Sequence, residues 1–175
     1  MKRLITFVIS VAVLSVLIHA AALYALPRAI MGVAITKIGQ GGAKNAFLHP
    51  PLPTSNARDV VRPSPDLAYS ICIIDVSKGP VHIEVPLTAP YTSVALYAAN
   101  TDNYFAINDR DTDGKPLDIV MVAKGQPAPD SMPVTATLVE APGSESLVLV
   151  RRVVEHAEDF AAIDEIRQAS VCAPL

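Results

Sequence analysis

Leu4 to Leu26 runs without a single charged side chain, with His19 its only strongly polar member, and it constrains this chain more than any other stretch. It exceeds the ~20 apolar residues that a helix rising about 1.5 Å per residue needs to cross a bilayer core. Lys2 and Arg3 precede it. We read the run as a transmembrane anchor in contact with lipid through residues 4–26. A cleaved signal peptide fits the same grammar, because a basic start, an apolar core and the small residues Ala20-Ala21-Ala22 are its marks. Lys2, Arg3 and the amino terminus on one side are matched by Arg28, Lys37 and Lys44 on the other, so the positive-inside count is close to even. The signal-like start places the amino terminus inside and the body in the periplasm of a bacterial inner membrane.

Charge divides the chain at the same place. All seventeen acidic residues fall in 45–175, after a segment whose only charges are basic, and the net charge is −3. An acidic body repels phosphate, which argues against a nucleic-acid partner. Pro27 to Ile38 reads as a separate short helix at the membrane interface, with Arg28 and Lys37 reaching headgroups. GQGG, from Gly39 to Gly42, ends it. Residues 43–57, with HPPLP at His49 to Pro53, read as a semi-rigid linker. The resulting division is an anchor at 1–26, an interfacial helix and linker at 27–57, and a β-rich domain at 58–175.

From Arg58 the pattern changes. Proline-punctuated turns alternate with short β-branched and aromatic runs, most densely from Val60 to Arg110. Ala68 to Val76 is a strand candidate apolar on both faces, whereas Val81-His82-Ile83-Glu84-Val85 alternates and wets one face. Further strands are predicted over Tyr91 to Ala99, Asn103 to Asn108, Leu117 to Ala123, Val134 to Glu140 and Ser146 to Val154. Strands so short and regularly spaced predict a mainly β fold, an antiparallel sandwich or jelly roll. His156 to Ser170 closes it with a short helix whose Phe160, Ile163 and Ile166 pack on the sheet.

The ordered combination of VVRPSPDLAYS, D-x-S-x-GPV-x-x-x-VP (Asp75 to Pro86), Y-x-SV (Tyr91 to Val94), NTDN and the strand end Asn108 to Arg110 resembles the bacterial domain of unknown function 1254 family over roughly residues 45–155. Longer members of that family carry a second domain, of unknown function 1214, after this one. The chain stops before such a domain and resembles the small membrane-anchored members, so the resemblance implies a partner chain supplying the complement. At Ser64 and Leu67-Ala68 it departs from the polar residues of the longer members.

No complete catalytic signature is present. Arg62, Asp66, Tyr69, Asn100, Asp102, Asn103 and Arg110 are the polar residues of the motif-rich region. Arginine and carboxylate there either orient a substrate anion, as in an enzyme or half-enzyme completed by a docked domain, or brace adjoining turns. We expect bracing, with Asp66 held by the stiff Arg62-Pro63-Ser64-Pro65 turn and accepting backbone N–H bonds. Asp109-x-Asp111-x-Asp113-Gly114 opens like a calcium loop, but Val120 stands where the bidentate glutamate is required. An acidic turn is the reading, and neither metal nor cofactor is expected. Ser144 and Ser146 beside Glu145 lack a nucleophile elbow. His82 and Glu84 lack the Cys-x-x-Cys of a zinc deaminase. Cys72 and Cys172 allow one disulfide or a plain buried cysteine.

Overall fold

The computed structural model describes residues 1–39, 44–58 and 62–175. Gln40 to Gly42 of the expected helix stop, and Val60 and Val61 of the patterned region, lie outside the described residues.

Helix α1 spans Lys2–Gly39 without a break at Pro27. The separate interfacial helix is thus continuous with the apolar run. Proline removes the backbone donor that would serve the Leu23 carbonyl, yet the helix continues; beside it the Arg28 guanidinium donates to the Tyr24 carbonyl at 2.7 Å and lies 3.7 Å from the Tyr24 ring centroid. Up to Leu26 the helix is exposed almost throughout. Beyond it, Pro27, Met31, Ala34, Ile35 and Ile38 recur at helical spacing and are buried or half-buried. A Cβ on Gly39 would sit 3.2 Å from Ile73 Cδ1, which brings the helix end against the first sheet.

The β domain contains strands β1 (Phe47–Leu48), β2 (Leu67–Asp75), β3 (Val81–Val85), β4 (Thr92–Ala98), β5 (Asn103–Asn108), β6 (Leu117–Ala123), β7 (Thr137–Ala141), β8 (Glu145–Val153) and β9 (Val171–Pro174), with helix α2 (Phe160–Gln168) before the last. They form two sheets, β1-β2-β8-β4-β5 and β7-β6-β3-β9. The fold is the mainly β sandwich expected, with three differences, one being the short β9 after α2, which pairs with β3. The predicted linker enters the fold: Phe47 pairs with Cys72 and Leu48 with Ile71, and the Asn45 amide exchanges bonds of 2.7 and 3.0 Å with the backbone of Asp75. And β7 runs parallel to β6, which the long 124–136 connection permits, since parallel neighbours need a crossover rather than a hairpin.

Alternation builds the core. Cys72 and Ile74 of β2, Val148 and Val150 of β8, and Val94 and Leu96 of β4 face Val81, Ile83 and Val85 of β3 and Leu117, Ile119 and Met121 of β6. Fully burying each such side chain contributes about 1.5–3 kcal/mol. The Cys72–Cys172 disulfide joins the sheets through this core, with Cα atoms 6.7 Å apart. It ties β2 in one sheet to β9 in the other, where Cys172 pairs with Ile83.

Candidate functional site

The polar residues that the sequence singles out fall at two ends of the first sheet. One row of that sheet runs Tyr69, Arg151, Ser93, Asn108, and another runs Ile73, Leu147, Tyr97, Asn103. Four residues of strand, about 13 Å, separate the rows. Asp66, Tyr69 and Arg110 belong to the first end, and Arg62 lies two residues before Ser64, whose N–H bonds Tyr69 there. Asn100, Asp102 and Asn103 belong to the second.

Local bonds occupy several of them. The Tyr69 hydroxyl accepts from the Ser64 N–H at 3.0 Å, so the proline-rich turn is braced by the tyrosine. Asp66 is exposed, and among the described residues its bond is through the backbone, its carbonyl accepting from the Val154 N–H at 2.9 Å. The expected carboxylate bracing by Asp66 is not what the structure records there. The Asn100 amide donates to the Asp102 carboxylate within the β4–β5 turn. At the other end of β5, the Asn108 side chain accepts from the Arg110 N–H at 3.0 Å while the Asp111 carboxylate accepts from the Asn108 N–H at 2.9 Å. This capping box opens the short 3-10 turn Asp109–Asp111. It turns Asp111 to the backbone rather than towards Asp109 and Asp113. Among the described residues, no group of three or more His, Cys, Asp or Glu side chains is placed to hold a metal ion.

His82 sits opposite β6, its Nε2 2.8 Å from Asp118 Oδ1, and the other Asp118 oxygen accepts from Thr135 Oγ1 at 2.6 Å. Ser146 is buried and accepts from the Tyr104 hydroxyl at 2.9 Å, which commits it to the core.

A different polar cluster lies inside the sandwich beside α2, and sequence reasoning passed over it. Arg152 of β8 is 0% exposed. Its guanidinium donates to Ser70 Oγ at 3.5 Å, Ser170 Oγ at 3.0 Å and the Pro86 carbonyl at 3.2 Å. No carboxylate faces it among these partners, and its Nε–H is buried without an acceptor among the described residues. Burial, with the Arg167 charge behind it, pulls its pKa down to about 10. Arg167, 2% exposed, donates to the Tyr69 carbonyl at 2.8 Å and to Asp164, and lies 5.1 Å from the Phe160 ring centroid. His49 joins through Ser70 Oγ at 2.9 Å. Desolvation first, then Arg167 and Arg152, lower its pKa, so the imidazole is neutral and adds no further positive charge. The signal for this cluster was legible in the alternation: Val148 and Val150 point inward, so Arg152 of the Arg151-Arg152 pair must follow them. The Arg167 and Arg152 bonds tie α2, the turn before β9, the strand end at Pro86 and β2 together.

At the surface next to this cluster is an open cleft of about 410 Å³. One wall is the Leu87–Pro90 loop, held by mutual bonds in which Thr92 Oγ1 accepts from the Thr88 N–H at 2.9 Å and donates to the Thr88 carbonyl at 3.1 Å. The other wall carries Glu155, Asp159, Ala162, Ile163 and Ile166. None of the polar residues singled out from sequence lines it.

Fold and cluster together define a disulfide-stapled β-sandwich domain that follows a helix long and apolar enough to cross a membrane. The family described as "Protein of unknown function (DUF1254)" matches residues 44–174, and the chain belongs to that family. The match begins before β1 and takes in α2 and β9, beyond the stretch over which motifs alone carried the resemblance. No curated protein matches the chain. Among solved structures, the VPA0106 protein from Vibrio parahaemolyticus is similar at a TM-score of 0.65 and 16% identity, over 87% of this chain and 36% of that one. An uncharacterised protein from Burkholderia cenocepacia is similar at a TM-score of 0.45 and 15% identity, over 79% of this chain and 38% of that one. The former shows a shared fold. The chain thus spans little more than a third of the length of either.

Proposed function

We propose that this chain is a membrane-anchored binding module of the bacterial envelope, held in the inner membrane by residues 4–26 with its β-sandwich in the periplasm. It works there with a partner chain carrying the complementary domain of unknown function 1214. The observation that carries the reading is α1. Its most apolar window has a mean hydropathy of 2.5 and none of it is buried against the rest of the chain. So much exposed apolar surface needs a solvent other than water. The Cys72–Cys172 disulfide supports the periplasmic side, because such bonds persist in oxidising compartments. The separation of the sequence-flagged polar residues between two ends of one sheet supports binding over chemistry, which needs convergent groups.

The partner is tested by mixing the purified full chain in lipid nanodiscs with a separately purified protein of the complementary domain. Co-elution at a fixed ratio in size-exclusion chromatography is the expected result. Independent elution at micromolar concentrations overturns the partnership.

A further inference from the structure

We propose that the cleft between the Leu87–Pro90 loop and α2 binds small organic ammonium ions that carry an apolar body. At about 410 Å³ it falls within the ~300–1,000 Å³ of small-molecule sites. Its lining has two chemistries. Leu87, Ile163 and Ile166 offer apolar surface, and Ile166 is 40% exposed. Among the described residues, Glu155 and Asp159 are the only charged side chains of the lining, and both are acidic and exposed.

An acidic pair on one wall, beside apolar, low-dielectric surface, attracts cations and repels carboxylates. Of the two arginines behind the cleft, Arg167 is ion-paired with Asp164, and both turn their donors to groups inside the fold. Arg167 donates to the Tyr69 carbonyl and Asp164, and Arg152 to Ser70, Ser170 and the Pro86 carbonyl. The threonine bonds of the loop fix one wall before any ligand arrives, which lowers the entropy cost of binding. The inference rests on reading the domain as a binding module and adds the site and the ligand class.

The test is a titration of the full chain in phosphatidylcholine nanodiscs, with isoleucine methyl groups labelled for NMR. Phenylbutylammonium, phenylbutanol and phenylbutyrate share one apolar body and differ in charge. The ammonium compound should shift the Ile163 and Ile166 methyl signals saturably, at least about tenfold more tightly than the other two. The double substitution Glu155→Gln and Asp159→Asn, at exposed positions, should reduce it to the affinity of the alcohol. Equal affinity for all three compounds or absence of saturation overturns the proposal. Failure here leaves membrane retention and partner co-elution untouched, since neither is read from the cleft.

Discussion

The first half of α1 and the first sheet of the sandwich are built from the same kind of residue and dispose of it in opposite ways. Leu14, Val16, Leu17 and Ile18 leave more than half of their surface exposed, while Ile74, Val94, Leu96 and Val148 leave none. Side chains of this kind gain free energy only by leaving water. The sheet achieves that through its own partner sheet, and the helix achieves it only through something outside the chain. Apolar composition therefore does not locate a core. What locates it is period: a strand such as Val81–Val85 alternates and buries one face, whereas Leu4 to Leu26 is apolar all round and has no face to bury.

Breaking the covalent tie of the sandwich should give the largest effect. The disulfide closes a separation of 100 residues, for which the chain-entropy account gives close to 4–5 kcal/mol. Replacing Cys72 and Cys172 together by serine should cost about 4 kcal/mol in denaturant unfolding, a large part of the ~5–15 kcal/mol of a domain. A loss below about 1 kcal/mol would mean the core holds the two sheets without it.

One pair of substitutions addresses the comparison itself. Ile74→Ala opens a cavity between the sheets and should cost about 2–5 kcal/mol. Leu14→Ala, on the exposed half of α1, should change unfolding of the same domain by less than about 0.5 kcal/mol. Equal losses would show that the helix packs on the fold.

The junction between the two regions titrates. Bonds from Ser77, then the Lys44 ammonium, hold the Asp75 carboxyl down to about 2, and the same lysine also pairs with Glu145. The folded state thus binds a proton less readily than the unfolded chain, whose carboxyl has its ordinary value near 3.8. Its contribution is present above that value and is lost as pH falls from about 4 towards about 2. Asp75→Asn should flatten this part of the curve of stability against pH, read by thermal melts in a buffer series.

The smallest effect should come from Asp66→Ala. The carboxylate is exposed, and its residue is bonded through the backbone carbonyl, which alanine keeps. A change within about 0.5 kcal/mol is expected, and a loss of more than about 1 kcal/mol would restore the bracing role that its position suggests.

What the sequence made legible follows from the range of the interactions involved. β3 is local: five residues alternating between Pro80 and Pro86, and the structure reproduces Val81–Val85. β1 and β9 are not local. Two residues beside a proline-rich stretch, and four ending in a proline, become strands only because β2 and β3 present edges to them. The α2 stripe was read as Phe160, Ile163 and Ile166. In the fold, Arg167 rather than Ile166 turns inward, because the Tyr69 carbonyl and Asp164 satisfy its guanidinium. Arginine is almost never fully buried unless it is paired, so composition gave no reason to place Arg152 or Arg167 inside. The cysteine pairing stayed open for the same reason, as only the packing of two sheets brings residues 72 and 172 together.

Membrane fractionation bears most directly on the central claim. The intact chain, expressed with its own amino terminus, should stay in the membrane pellet after an alkaline carbonate wash, and mass spectrometry should find residues 4–26 still attached. A soluble mature chain beginning near Leu23 would contradict it.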